Sequence, residues 1–586
     1  MQIKSLFIDN YLCLQNFKIE FNTVNGGSST ILIGQNGSGK STFIRALINI
    51  MMSFDSASIA ENIEYDYKIE YEYAQKNIRI EKKWHVHNVY VDGQLFPGSI
   101  RTIKEKLIAN NIRLFPQRII SFYSGSNKTF YEEIKKNDIQ YTKKCRQIIQ
   151  DYFKKSRNGE KLKKEDLPKR KYIYCDESFV PIYLCAVLAG RESYEKERLR
   201  EQCKLLRIDR IVASLNIEFF DSIVSDLRDY ELDHLEQEWK YREEEWQRHK
   251  YEMARHGYDR DTNEFEWEHR EYKRAYREYK KKRIEYQMRY FKEVLLSFIE
   301  YLDRRLVPVF ENCRITPRNS KEIFVEIYNI ESSGVESNSL LDVFEKIKIL
   351  YKAEYQVYVC AENKSEAIKD SNLSEGQRQL IKILGMLGVC KNEDCLVLMD
   401  EPDAFMNPRW GYNIKEKIDR ILEKAINTQA IITTQNPLLI NGVSKDYIRI
   451  FEIDKKSGST KVLEPYADTE GMGIDGLLQS EYYGLRTSYD KDTTDDFLRQ
   501  QELYEKLINK EINEEEKKEL RELTKKIASM PISTNTIDFL YGDFIREYRK
   551  TSYYKKEYLS FEETQKKNEM IKKIIAELYK GKHEIH

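Results

Sequence analysis

Three hydrophobic periodicities divide the chain. Near the N-terminus KSLFI and FKIEF alternate with period two, and the buried run TILI follows, the pattern of β-strands ending in a fully buried one. GQNGSGKS comes next, then FIRALINIMM with helical spacing. Residues 63–95 return to alternation in YDYKIEYEY, IRIEKKW and VYVDGQLF, where Asp92-Gly93 predicts a hairpin turn. From about 100 to 225 the pattern reads as helical and less regular. Strands are expected again at 323–328, 355–360, 395–399, 430–434 and 447–453. Beyond about 470 the chain reads as helical and polar.

The middle is different. Leu232, Trp239, Trp246 and Met253 recur every seven residues, and after HGYDRDTN so do Phe265, Tyr272, Tyr279 and Tyr286. Two heptad arms around a polar turn predict an antiparallel coiled-coil hairpin over 226–294. A single long surface helix with a kink is the alternative. Each arm, roughly 30 residues, would project about 45 Å.

Composition narrows the class. Net charge is zero over 586 residues although a third are charged, so any polyanion contact must come from a local patch. The segment 154–171 is one such patch, with nine basic against three acidic residues, and reads equally as a DNA contact or a solvated loop. Nine cysteines without a CxxC pair read as reduced packing residues. With no signal-peptide layout and no apolar run long enough to span a bilayer, a cytoplasmic protein without membrane contact is expected.

Candidate chemistry lies in three short stretches. Gly34, Gln35, Asn36, Gly37, Ser38, Gly39, Lys40, Ser41 and Thr42 have phosphate-loop (P-loop) spacing between a strand and a helix. Their backbone N–H groups can surround phosphate oxygens, Lys40 can reach the outer phosphates, and the Ser41 hydroxyl can ligate Mg²⁺. CLVLM ends in Asp400 and Glu401, which suits one carboxylate on the metal shell and one polarising a water. AIITT ends in Gln435, within reach of a terminal phosphate if its strand lies beside that of Asp400. A further loop, LSEGQ, offers the Ser374 hydroxyl, the Gly376 backbone and Gln377 at a helix N-terminus, another place for an anion.

In that order, P-loop, LSEGQ, DEP and terminal Gln resemble the ABC-class ATPases. The resemblance implies ATP and Mg²⁺ as cofactors, Glu401 and Gln435 as catalytic, and Ser41, Asp400 and, as a Q-loop residue, Gln117 on the metal. It further implies that Ser374, Gly376 and Gln377 close over ATP held by a second copy, giving head-to-tail dimers or larger oligomers. The hairpin between P-loop and signature is similar to the SMC, RecN and RecF branch rather than to transporters. DEPDAFMNP, ITTQNPLLI, YSGSNKTF and GMGIDGLLQSEYYGLRTS resemble ATPases of bacterial antiphage defence, nearest the Septu ATPase (PtuA) family, which works beside a separately encoded HNH nuclease. Gln435 and Asn407 stand where those relatives usually carry His. Gln cannot take up a proton near neutrality, so slow turnover is expected.

The fold class expected is thus α/β. It comprises an ABC-type P-loop head (1–130 and 321–470) with an antiparallel β subdomain, an inserted helical region (131–320) and a helical extension (471–586). Asp490 and Asp492 resemble a TOPRIM DxD, but no apolar strand leads into them, and a solvated loop is expected. No nuclease is therefore expected within the chain. A RecF-like repair ATPase and an ATP-gated scaffold without hydrolysis are the alternative functions.

Overall fold

A computed structural model describes the chain except residues 23–27, 56, 85, 125–130, 158–166, 191–192, 217–229, 257–261, 319–321, 363, 391–392, 426, 455, 486–488, 530–550, 552–568 and 575–586. The chain forms two compact units, one of 1–440 with 445–466, the other of 441–444 with 467–586.

A seven-stranded sheet carries the nucleotide motifs. Its order is Thr460–Leu463, Ile448–Ile453, Ser28–Gly34, Gln429–Thr434, Cys395–Asp400, Arg118–Tyr123 and Tyr172–Cys175. Only the first pair is antiparallel. Parallel strands covered on both faces need near-continuous apolar sequence, as TILI, CLVLM and AIITT have. In register, Asp400 lies opposite Thr433 and Tyr123, Thr434 opposite Ile33, and Gly34 opposite Phe451. The strand ends that bear chemistry therefore meet at one edge.

A six-stranded antiparallel sheet runs Leu14–Glu20, Gln2–Tyr11, Tyr67–Tyr73, Lys76–Lys83, Val86–Val91 and Gln94–Phe96. Alternate residues Tyr67, Ile69, Tyr71 and Tyr73 are buried in a core shared with the helix Lys40–Ser53. Asp92 and Gly93 make the expected turn, both at positive φ.

The third sheet corrects the expectation that residues 131–320 form a helical insertion of their own. Its central strand is Leu205–Asn216, in a stretch read as helical, and pairs with Glu322–Tyr328 and Glu354–Ala361. Its pairing with Glu354–Ala361 shifts register between Leu205 and Arg207 and between Ile208 and Arg210, which breaks the alternation that would have marked it. Tyr172–Cys175, also from this region, is the edge strand of the nucleotide sheet.

The helices Tyr230–His256 and Thr262–Asp303 pack antiparallel. Trp239 stacks on Tyr279 at 5.7 Å and Trp246 on Tyr272 at 5.5 Å. The intervening turn lies outside the described residues. The second helix is longer because its last turns become apolar: Phe291, Leu295, Phe298 and Ile299 are buried.

A buried ionic cluster ties the nucleotide sheet to two helices. Glu345, on the helix Ser337–Tyr351, accepts from Arg170 at 2.7 Å and Arg118 at 3.3 Å. Arg170 also pairs with Asp138 on the helix Tyr131–Arg157, and Arg118 with Glu393. Lys169 and Lys171 pair with Glu393 and Asp55. The described C-terminal part of the basic segment is thus internally neutralised, and residues 158–166 lie outside the described residues. Burial would raise the Glu345 carboxyl, but Arg170 and Arg118 outweigh it and hold it below its usual value.

Breaking such a cluster leaves an uncompensated buried charge. Glu345→Ala is expected to cost about 3–5 kcal/mol, read as a lower midpoint in urea unfolding. The Glu345 contribution should be complete above its unfolded value near 4.5 and be lost as pH falls through its depressed folded value. Wild type should therefore lose more stability than the variant on acidification below that point. Equal midpoints at neutral pH would show that the cluster is not structural.

Candidate functional site

The loop Gly34–Gly39 turns from strand to helix by means only glycine permits. Gly39 has φ +95, and a Cβ there would meet Thr460 Oγ1 at 2.5 Å. Thr460 Oγ1 in turn donates to Ser38 O at 2.9 Å, so the loop is held by the sheet's edge strand. At Gly34 a Cβ would lie 2.2 Å from Phe451 O. Gly37 at the crest faces open space.

Lys40 begins the helix and is buried, its Nζ donating to Gly34 O at 2.7 Å and Gln35 O at 3.1 Å. Burial lowers its pKa, and Glu401 and Asp400 act in the opposite sense. The ammonium is thus folded over the loop, next to two acids. Ser41 Oγ donates to Asp400 Oδ2 at 2.6 Å, and Thr433 donates to Asp400 Oδ1. Asp400 is 1% exposed, and burial pushes its carboxyl up from the usual value despite these two donors. A buried carboxylate oxygen beside a hydroxyl is an all-oxygen donor set of the kind a hard divalent cation takes, so these residues fit Mg²⁺.

Glu401 has φ +53, a conformation costly for a side chain with a Cβ. Its N–H is held by Thr433 O at 3.0 Å and Thr433 Oγ1 at 3.2 Å. Gln435 Nε2 donates to Glu401 Oε1 at 2.6 Å and to Asn36 Oδ1. P-loop, strand-end acid and terminal Gln therefore form one hydrogen-bonded group.

The signature residues belong to another network. Ser374 caps the helix Glu375–Val389: its Oγ accepts from Gln377 N at 3.3 Å, and Gln377 Oε1 accepts from Ser374 N at 3.0 Å. The Gln377 amide also donates to Cys203 O, which commits that side chain locally. Arg378 and Lys382 pair with Glu177. A Cβ on Gly376 would press on Phe405 O at 3.2 Å.

Gln117 is misplaced as a metal ligand. It precedes the strand Arg118–Tyr123, whose other end pairs with Asp400, so it sits roughly 20 Å away at the opposite sheet edge. Its amide oxygen accepts from Lys169 instead. The residue at the correct edge is Ser124, whose N donates to Asp400 O at 3.3 Å; residues 125–130 lie outside the described residues. Asn407, the second departure from His, caps the helix Pro408–Leu422 through Arg409 N. Asp490 likewise caps a helix, accepting from Thr493 N at 2.9 Å.

Sequence reading overlooked Thr433, Thr434 and Asp403. Thr434 Oγ1 donates to buried Asp403 at 2.9 Å, tying the strand before Gln435 to the turn after Glu401. The paired hydroxyls in ITTQ and the second aspartate in DEPD were the available signals.

Strand order, phosphate loop and adjacent acids define an ABC-type P-loop ATPase head. Residues 1–440 match the family model of the AAA ATPase domain (AAA_15), and the chain belongs to that family. No curated protein matches the chain. Among solved structures, it is similar to the Pyrococcus furiosus Smc head domain with an extended coiled coil bound to the C-terminal domain of ScpA. Identity is 13%, coverage is 79% of this chain and 96% of that one, and the TM-score is 0.31. The SMC head domain from Thermotoga maritima is 10% identical over 80% and 100%, with TM-score 0.30. No helix among the described residues is long and apolar enough to cross a membrane.

Gly39→Ala should lose binding of a fluorescent ATP analogue and lower Tm, because it combines a clash with the Thr460 side chain, which itself holds the loop, with a left-handed φ costing about 1–3 kcal/mol. Wild-type affinity would show that the loop does not need this turn to take a nucleotide.

Proposed function

We propose that the chain binds and hydrolyses ATP in composite sites of a head-to-tail dimer or larger oligomer, and that its ATP state controls a separately encoded nuclease of HNH type in bacterial antiphage defence. The observation that carries the ATPase reading is the single group formed by Lys40, Ser41, Asp400, Glu401 and Gln435 at one sheet edge. The P-loop N–H groups and Lys40 would hold the phosphates, and Ser41 and Asp400 would hold Mg²⁺. When bound, Mg²⁺ neutralises phosphate charge. Glu401 would take the proton of the attacking water, and Gln435 orients Glu401 through their hydrogen bond. Ser374 and the Gly376 backbone would serve a partner's ATP, in keeping with side-chain hydrogen bonds at 374–378 that run to Cys203, Glu177 and Asp370 rather than to the P-loop. The defence role and the nuclease partner rest on the motif resemblance alone.

A second reading, an ATP-gated scaffold without turnover, is favoured by Gln435, which cannot accept a proton near neutrality. Glu401→Gln should keep ATP binding, abolish phosphate release and accumulate dimers with ATP in size-exclusion chromatography. Unchanged hydrolysis would remove Glu401 as the base. A wild type without turnover that still dimerises on ATP would establish the scaffold.

A further inference from the structure

The second hairpin helix carries a charge pattern that hairpin packing does not use. At about 100° per residue, Tyr272 and Tyr279 point to one side, stacked on Trp246 and Trp239. On the opposite side, Arg270, Arg274, Arg277 and Lys281 fall within about 60° of one another, and Lys273 and Lys280 border them. All six are exposed, with Arg270, Arg274 and Lys281 side chains 70%, 79% and 77% accessible. These three meet acids of their own helix only at 3.6, 3.8 and 3.9 Å, exposed pairs worth little. Between 270 and 283 eight basic residues face two acidic ones, in a chain whose net charge is zero. The stripe repeats about once per helical turn over roughly 16 Å.

We propose that this outward stripe is a docking surface for double-stranded nucleic acid, gripping the phosphodiester backbone without reading sequence. Cations spaced by a helical turn can follow successive phosphates of a duplex. Trp267, 55% exposed, stands on the same side one turn before Arg270, and Ile284, 36% exposed, one turn beyond Lys281, so an aromatic and an apolar side chain flank the cations without interrupting them. The inference is independent of the ATPase reading, since none of the six residues touches the nucleotide site.

The test is fluorescence anisotropy of the full chain with a labelled duplex of about thirty base pairs over a salt series. Contact with roughly five phosphates predicts that log affinity falls with log salt at a slope of about −4 to −5. Combining Arg270→Gln, Arg274→Gln, Arg277→Gln and Lys281→Gln should reduce the slope by about 3–4 and weaken binding at least about tenfold. Arg274→Glu alone should lower the slope by about one, and Lys143→Gln with Lys144→Gln should leave it unchanged. Circular dichroism of each variant should match wild type, because every changed side chain is exposed. Absence of duplex binding, an unchanged slope in the fourfold variant, tighter binding of single strands, or equal displacement by polyglutamate would each overturn the proposal.

Discussion

Asp400 is almost inaccessible to water, yet its neighbours treat it as an anion: Ser41 and Thr433 both donate to it, and Lys40 lies close by. A carboxylate in such a place needs compensation, and the fold is arranged so that compensation arrives from several strands at once. The parallel order sets Gly34, Thr434 and Asp400 at the same edge of three neighbouring strands. The strained Glu401 turn is tolerated because Thr433 holds its N–H and Thr434 holds Asp403. A shift of one strand by a single residue would disperse all of these contacts.

The same need for compensation recurs deeper in the sheet. Arg118 and Arg170, one within and one just before the last two strands, would be isolated charges without Glu345, Asp138 and Glu393. Those acids come from helices and loops outside the sheet, so satisfying the strands also fixes the helices. On the signature side, Glu177 follows the edge strand Tyr172–Cys175 and receives Arg378 and Lys382. The helix Glu375–Val389 and the nucleotide sheet are therefore joined through the two ion pairs of Glu177.

Much of this was legible in sequence because the relevant signals are local. Buried parallel strands announce themselves as unbroken apolar runs, and the phosphate loop as glycines before a lysine. The stacked hairpin rings appear as a repeat of seven. What escaped notice depends on distant partners. Leu205–Asn216 lacks the regular alternation of a strand because its pairing register shifts twice, and only Glu322–Tyr328 and Glu354–Ala361 make it a central strand. Gln117 was misassigned because a polar residue beside a strand does not reveal which end it occupies; that depends on strand direction. Thr433 and Thr434 look like ordinary β-branched strand residues until the carboxylates opposite them are known.

The central claim is that each ATP site needs residues from two chains. Lys40→Ala removes the ammonium over the P-loop, and Ser374→Arg places a bulky cation where the signature loop would meet a partner's phosphate. Each variant alone should be inactive. Mixed in equal amounts, about half the dimers would pair the two lesions, leaving one site of two intact, so about a quarter of wild-type phosphate release should return. Phosphate release that stays at zero at every ratio, with mixed dimers demonstrated by differential tags, would contradict the account and leave each chain to act alone.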